Sequence, residues 1–332
     1  MKIGIVFDRK QDYGIKGKNE DYCDFCFFSE AEAAYKNFKL MGHDVLYIGN
    51  PSNLLNRIKT NSIDCDIIYN IAEGYKSRNR EGLVPSICEA FNIPYTGTDA
   101  FGLSLSLHKY QTNCFIEKYN IPVPKSFIYI PNLDSINEIK KNIKKMGMNY
   151  PLVIKPNHEG SSMGLKLVNN INCLESALLD LSKRFRQEII IQEYIYGKEL
   201  STCILGTGDN SRVYSSVEYT TTSGKNIDLF STKLKNEGGH IMLLPRLDKR
   251  TLNKIEKQAL FIHKIMGIRD VSRIDWRFDI TRNKAFFIEL TPLPDLSEDS
   301  EFCWASKMLN KPYSYVFYEI IKSASLRYNI NL

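Results

Sequence analysis

Short apolar runs alternate with amphipathic stretches through the first hundred residues. Residues 2–7 read as a strand. Residues 29–41 carry helical periodicity, opened by Ser29-Glu30-Ala31-Glu32, which has the form of a capping box. Gly42 stops that helix. Residues 44–49 read as a second strand, and Pro51 begins a second helix at a favoured position. The near-continuous apolar run 66–71 has the pattern of a buried parallel strand. A helix over 83–91 leads to a short strand at Pro94-Tyr95-Thr96. This alternation predicts an open α/β domain.

A helix over 99–119 crosses into a second region. Asn120-Ile121-Pro122-Val123-Pro124 ends it, because proline disfavours helix before and within itself. Strands are predicted at 126–130, 151–155, 165–168 and 188–194, and helices at 135–145 and 173–184, which makes a small α+β domain. The last region is strand-rich over 200–219. A flexible polar stretch, 220–239, follows. Helices over 252–266 and 313–327 flank the most informative part of the chain. No internal repeat or low-complexity segment interrupts this order.

That part is Arg273-Ile274-Asp275-Trp276-Arg277-Phe278-Asp279, a short turn, and Ala285-Phe286-Phe287-Ile288-Glu289-Leu290-Thr291-Pro292. It reads as two adjacent antiparallel strands. Strand side chains alternate, so Arg273, Asp275 and Arg277 share one face. With the hairpin centred on Arg282, Asp275 lies opposite Glu289. Two carboxylates that close repel, and a hard cation with oxygen ligands relieves the repulsion. Arg273 adds a fixed positive charge. The constellation suits phosphate and magnesium.

The 332 residues are 43% hydrophobic and 25% charged, ordinary for a soluble globular chain with two or three domains. The net charge of +6 is spread along the sequence. Without a focused basic stripe, nucleic acid is not the expected partner, and an anionic small molecule is. No apolar run approaches the ~20 residues that span a bilayer. The chain enters a strand at its first residues, so no secretory leader is expected, and a cytoplasmic location is. Of eight cysteines, Cys88 and Cys203 sit in apolar runs and read as core. Cys23-Asp24-Phe25-Cys26 has a redox or zinc spacing but no second ligand pair, and reads as a loop with two thiols.

Lys155-Pro156-Asn157-His158-Glu159-Gly160-Ser161-Ser162-Met163-Gly164 joins two predicted strands. Its glycines permit tight turns, and its small serines let ligand oxygens approach main-chain N–H groups. It reads as a phosphate cradle or a Gly-Ser hairpin loop. Residues 188–195, then Gly197 and Glu199, read as a strand whose Ile191 and Ile195 can face a base, with Gln192 and Glu193 at its edge.

In this order these pieces resemble the ATP-grasp superfamily, and most closely its D-alanine–D-alanine ligase branch. The resemblance rests on Arg80-Glu81-Gly82-Leu83-Val84-Pro85, Ile93-Pro94-Tyr95-Thr96-Gly97, Leu107-His108-Lys109, the Lys155–Gly164 loop, Glu199, and Arg273, Asp275 and Glu289, with Pro294 and Ser300 downstream. It implies a three-domain ATP-grasp fold of α/β and α+β class: an N-terminal open parallel α/β substrate domain (1–98), a central small α+β lid domain (99–197) and a C-terminal antiparallel-sheet catalytic domain (198–332). It implies an ATP-dependent carboxylate–amine ligase working through an acyl phosphate on small amino-acid-like substrates, and a homodimer. By the same resemblance Lys109, Lys155, Glu159, Ser161, Ser162, Met163, Gln192, Glu193, Ile195 and Glu199 would bind ATP. Asp275, Glu289 and Thr291 would hold two Mg2+ ions, or Mn2+. Arg273 would face the oxyanion, with Ser161 also at the catalytic centre, and Lys233 and Ser300 would bind the second substrate's carboxylate.

The sequence departs from that pattern at several points. Thr291 stands where the family has Asn, Asp295 where it has Gly, Gln192 where it has Glu and Glu193 where it has Lys. The family's glycine-rich segment after the first strand is absent, and Tyr69-Asn70-Ile71-Ala72-Glu73-Gly74 replaces its His-Gly strand end. Asp8, Glu73 or Glu81 is expected to meet a substrate amine or another polar group. His108, His158, His240, Tyr194 and Tyr219 are expected to be structural. Two other readings share these residues: a nucleotide-binding homologue without turnover, and the cell-wall ligase itself.

Overall fold

The structure, a computed structural model, describes residues 1–15, 25 and 28–332. Cys23 and Cys26 lie outside the described residues. In the first third, β1 (Lys2–Val6), α1 (Phe28–Leu40), β2 (Asp44–Gly49), α2 (Pro51–Lys59), β3 (Ile67–Asn70) and α3 (Leu83–Ala90) follow the predicted alternation. The sheet is parallel, in the order β2-β1-β3. The strand expected at 94–96 is a single parallel bridge from Tyr95 to Ile68. α1 already contains Ser29, so Ser29 is not its N-cap as the capping-box pattern suggested. α2 is capped by the Asn50 side chain, with Pro51 in its first turn.

The helix expected over 99–119 is two helices, α4 (Ala100–Leu107) and α5 (Lys109–Glu117), broken at His108, whose ψ of 86° leaves helical geometry. The break has a cause. The first amides of α5 are satisfied from outside, Lys109 N by Asn157 O at 3.0 Å and Tyr110 N by Asn157 Oδ1 at 3.0 Å.

Next come β4 (Ser126–Tyr129), α6 (Ile136–Lys145), β5 (Leu152–Pro156), β6 (Lys166–Val168), α7 (Ile171–Phe185) and β7 (Ile189–Glu193). Their sheet is antiparallel, in the order β4-β7-β5-β6, and one face packs on α6 and α7 through Ile139, Leu152, Leu178 and Ile191.

The last sheet, also antiparallel, runs β10-β9-β8-β11-β12, from β8 (Lys198–Leu205), β9 (Arg212–Thr221), β10 (His240–Leu243), β11 (Val271–Asp279) and β12 (Lys284–Thr291). The 220–239 stretch, expected to be flexible and polar, contains α8 (Thr232–Asn236), capped by Ser231. α9 (Lys249–Ile265) covers one face of the sheet. α10 (Glu301–Met308) and α11 (Ser314–Tyr328) return the chain to its beginning. Phe302, Phe317 and Ile320 share one core with Ile3, Ile5, Phe38 and Tyr69.

Candidate active site

The hairpin β11–β12 sets the floor of the site. Asp275 pairs directly with Glu289, as the alternation predicts, but not through a plain hairpin centred on Arg282. Trp276 pairs with Phe287, so a bulge leaves Ile288 as the extra residue and shifts the register between the turn and the carboxylates. Both acids line a cavity of about 1080 Å³ that lies between the three sheets and is walled on one side by the β5–β6 loop.

Each carboxylate has a cation against it. Arg273 donates to Asp275 through Nε and Nη2, both at 2.9 Å, and Ser201 donates to the same carboxylate at 2.6 Å. Burial acts to raise the Asp275 pKa, but the Arg273 charge and these bonds outweigh it and hold the carboxyl below its usual range. Lys109 Nζ lies 2.6 Å from Glu289. Lys155, at the end of β5, is buried beside them. Burial, helped by the Lys109 charge and opposed by Glu289, lowers its pKa to about 8.

The β5–β6 loop folds over the cavity. Ser161 and Ser162 hold φ of 47° and 60°, the left-handed region that costs a side-chain-bearing residue energy. Gly164, at φ +70°, lies where a Cβ would press on Phe185 and Pro156 at 2.8 Å. Thr232 of α8 donates to Ser161 O at 2.9 Å, so loop and helix meet. Arg80 is buried and donates to His158 O at 2.8 Å, which ties the first domain to this loop.

Lys109, Lys155, Glu159, Ser161, Ser162, Met163, Gln192, Glu193, Ile195, Glu199, Arg273, Asp275, Glu289, Thr291 and Ser300 all border the one cavity. Lys233 does not: its side chain is 81% exposed and lies 3.9 Å from Glu237. Residues two apart on a helix point to nearly opposite sides, and α8 turns Thr232 and Lys235 inward instead. Ser300 borders the cavity but spends its hydroxyl on its own turn. It donates to Ser297 O at 2.7 Å, accepts from Cys303 N at 3.3 Å and lies 3.2 Å from the Tyr313 hydroxyl. Glu199 is held by Arg277 at 2.8 Å.

Asp8 is fully buried and accepts from the amides of Glu73 and Gly74 and from the Tyr13 hydroxyl. It meets a polar group of the protein and braces the turn that carries Glu73, which, with Glu81, borders the cavity. The His108 and His158 rings lie tilted against each other with centres 4.9 Å apart, outside the cavity lining, and burial lowers the His158 pKa to about 4. Tyr194, Tyr219 and His240 do border the cavity. Lys235 and Glu301 were missed in the sequence. The α8 phase identifies the first once that helix is known, and Glu301 bonds both Arg273, at 3.3 Å, and the Tyr219 hydroxyl.

The donor set fits magnesium better than a protein-only cage. Among the described residues no three His, Cys, Asp or Glu side chains cluster as a metal site. Two facing carboxylates and the Thr291 hydroxyl are what Mg2+ takes when phosphate oxygens and waters complete its shell. A nucleotide also fits. The Gln192 Nε2 is buried without a hydrogen-bond partner, beside Val153, Ile195 and Ile288 on the cavity wall.

Residues 115–322 match the family profile described as D-ala D-ala ligase C-terminus. A D-alanine–D-alanine ligase from Flavobacterium psychrophilum is 31% identical over 71% of this chain and 69% of its own. One from Carboxydothermus hydrogenoformans is 26% identical over 92% and 93%. The crystal structure of the Bacillus anthracis D-alanine–D-alanine ligase complexed with ATP superposes with a TM-score of 0.75 at 18% identity, covering 98% of both chains. The VanG D-Ala:D-Ser ligase of Enterococcus faecalis gives 0.73 at 20%, covering 97% of this chain and 99% of its own. With fold, motif order and profile in agreement, the chain belongs to the D-alanine–D-alanine ligase family of the ATP-grasp superfamily.

Proposed function

We propose that this protein is an ATP-dependent acid–amino-acid or acid–amine ligase that joins a carboxylate donor to an amine acceptor. The observation that carries the reading is the convergence of Lys109, Lys155, Asp275 and Glu289 on one cavity beneath the Ser161–Ser162 loop. The relatives whose names state an activity are ligases, which supports the same class. The strand orders support division near residues 98 and 197.

In this reading the adenine lies against Val153, Ile195 and Ile288, with Gln192 at its edge, and Glu199 accepts the ribose hydroxyls. Lys109 and Lys155 bind the phosphates, and the main chain at 161–163 closes over them. Asp275, Glu289 and Thr291 would hold two Mg2+, or Mn2+, which would supply positive charge to the transferring phosphate. A donor carboxylate oxygen attacks the γ-phosphorus in line, the bond to the ADP oxygen breaks, and an acyl phosphate forms. The acceptor's neutral amine then attacks the acyl carbon. Arg273 meets the oxyanion, phosphate leaves with the C–O electrons, and the nitrogen loses a proton. No enzyme nucleophile is required. Exclusion of water keeps the acyl phosphate from hydrolysis.

Phosphate release measured across panels of carboxylates and amines tests this. Release should require both substrates and fall by at least about a hundredfold in Lys155→Ala and in Glu289→Gln. Undiminished release in both variants would remove the site assignment. The half-buried Asp295, in the family's glycine position and pushed up in pKa by desolvation, favours a second reading, nucleotide binding without turnover. Binding of ATP with no release on any substrate pair would establish that alternative.

A further inference from the structure

We infer that Arg277 is a positioning residue that fixes Glu199 as the reader of the nucleotide's ribose hydroxyls. This rests on the nucleotide-binding part of the ligase reading above and concerns a side chain to which the family pattern assigned no role. β11 turns Arg273, Asp275 and Arg277 toward the cavity, and all three border it. Arg277 pairs in register with Glu199 of β8, so the two side chains leave adjacent strands at directly opposed positions. Arg277 Nη1 donates to Glu199 Oε2 at 2.8 Å.

An ion pair alone would engage one of the five guanidinium N–H groups. Arg277 is buried and directs others to the walls around Glu199. Its Nε donates to Ile195 O at 3.0 Å, Nη1 donates also to Ile227 O at 2.8 Å, and Nη2 donates to the Tyr194 hydroxyl at 3.4 Å. Tyr194 in turn donates to Asp228 O at 2.7 Å. One side chain therefore joins the link between β7 and β8, the acid on β8 and the segment that leads into α8. Ile195, Asp228, Leu229 and Phe230 of those segments border the cavity.

Glu199 follows the base wall formed by Gln192 and Ile195, and its charge acts on Lys155 at the phosphate end. The sugar of a nucleotide spans that interval. A carboxylate can only accept hydrogen bonds. Arg277 occupies Oε2 and leaves Oε1, which has no hydrogen-bond partner among the described residues, to accept from a hydroxyl. Without Arg277, the Lys155 ammonium would draw the carboxylate toward the phosphates and away from the sugar. Arg277 thus supplies an orientation as well as a charge.

Calorimetric titration of the whole chain in Mg2+ tests this with three ligands: ATP, dideoxy-ATP, which lacks both ribose hydroxyls, and tripolyphosphate. The parent should bind ATP at least about tenfold tighter than dideoxy-ATP. Arg277→Lys keeps a charge beside Glu199 but cannot reproduce the planar fork of bonds. Its preference for ATP over dideoxy-ATP should fall at least about threefold, with tripolyphosphate affinity within about twofold of the parent's. In Arg277→Met the preference should shrink to within about twofold, and in a Glu199→Gln background neither substitution should lower it further. If Arg277→Met does not fold, the lysine variant decides. Weakening common to all three ligands with the preference intact would make Arg277 merely structural and overturn the inference, as would a parental preference in Arg277→Lys. A parent indifferent to the hydroxyls would overturn it too and leave nucleotide binding standing. A parent that binds neither ATP nor tripolyphosphate would remove the nucleotide reading and this inference with it.

Discussion

Lys155 is an ammonium held out of water, and with a lowered pKa of about 8 its proposed role at the phosphates predicts a nucleotide affinity that depends on pH. Phosphate beside it favours the charged form, so binding above pH 8 must take up a proton. ATP affinity should fall by up to about tenfold per pH unit above 8, while Lys155→Met binds weakly with a flat profile, as calorimetry in two buffers would report. The same residue has a stability signature of defined sign. The unfolded chain keeps the proton up to its ordinary value of 10.5. Between about pH 8 and that value the unfolded state binds more protons, so this group's contribution to stability rises with pH. The placement of Lys155, Asp275 and Glu289 at one cavity was legible in the sequence because strand alternation and loop composition fix it locally. The exposure of Lys233, and the bond of the Ser300 hydroxyl within its own turn, were not, because they depend on neighbours that spacing does not show.

At the scale of elements, close approaches of backbone position the site. Gly197 links β7 to β8 at φ +143°, and a Cβ there would overlap the carbonyl of Phe278 in β11. Gly197→Ala should cost upwards of about 2 kcal/mol in denaturant unfolding and move Glu199 and Ile195 out of register, an outcome that equal midpoints for variant and parent would refute. Strands and most helices were readable from periodicity. Three features escaped it for physical reasons. His108 breaks a helix because Asn157, in a distant loop, caps the second half. The Ile288 bulge alters register without altering which acids face each other. α8 is a helix of one turn, too short for a hydrophobic period to register.

Over the whole molecule, the chain's beginning and end are joined by one buried carboxylate. Asp270 is fully buried, accepts from the Gly97 amide at 2.8 Å and from Thr207 at 3.0 Å, and holds Arg327 of α11 through two bonds at 2.8 and 3.0 Å. Arg327 also reaches Tyr95 O at 2.9 Å. Removing the acid leaves a half-buried guanidinium without its counter-ion, held by the Tyr95 carbonyl. Asp270→Ala should therefore lose about 3–5 kcal/mol, and Asp270→Ala with Arg327→Met should recover part of it, which unfolding curves for the pair would decide. The three-sheet order was legible from motif succession, whereas this rivet was not, since residues this far apart carry no local pattern. Cys88 and Cys203 are fully buried, as their apolar runs suggested. Among the described residues no helix is long and apolar enough to cross a membrane.

The central claim is that Asp275 and Glu289 gather a triphosphate through divalent cations, and titrating a non-hydrolysable ATP analogue with and without Mg2+ tests it most directly. The account predicts binding that strengthens at least about tenfold with Mg2+ and loses that gain in Asp275→Asn and Glu289→Gln. Binding that ignores Mg2+, or a magnesium effect untouched by either substitution, would contradict it.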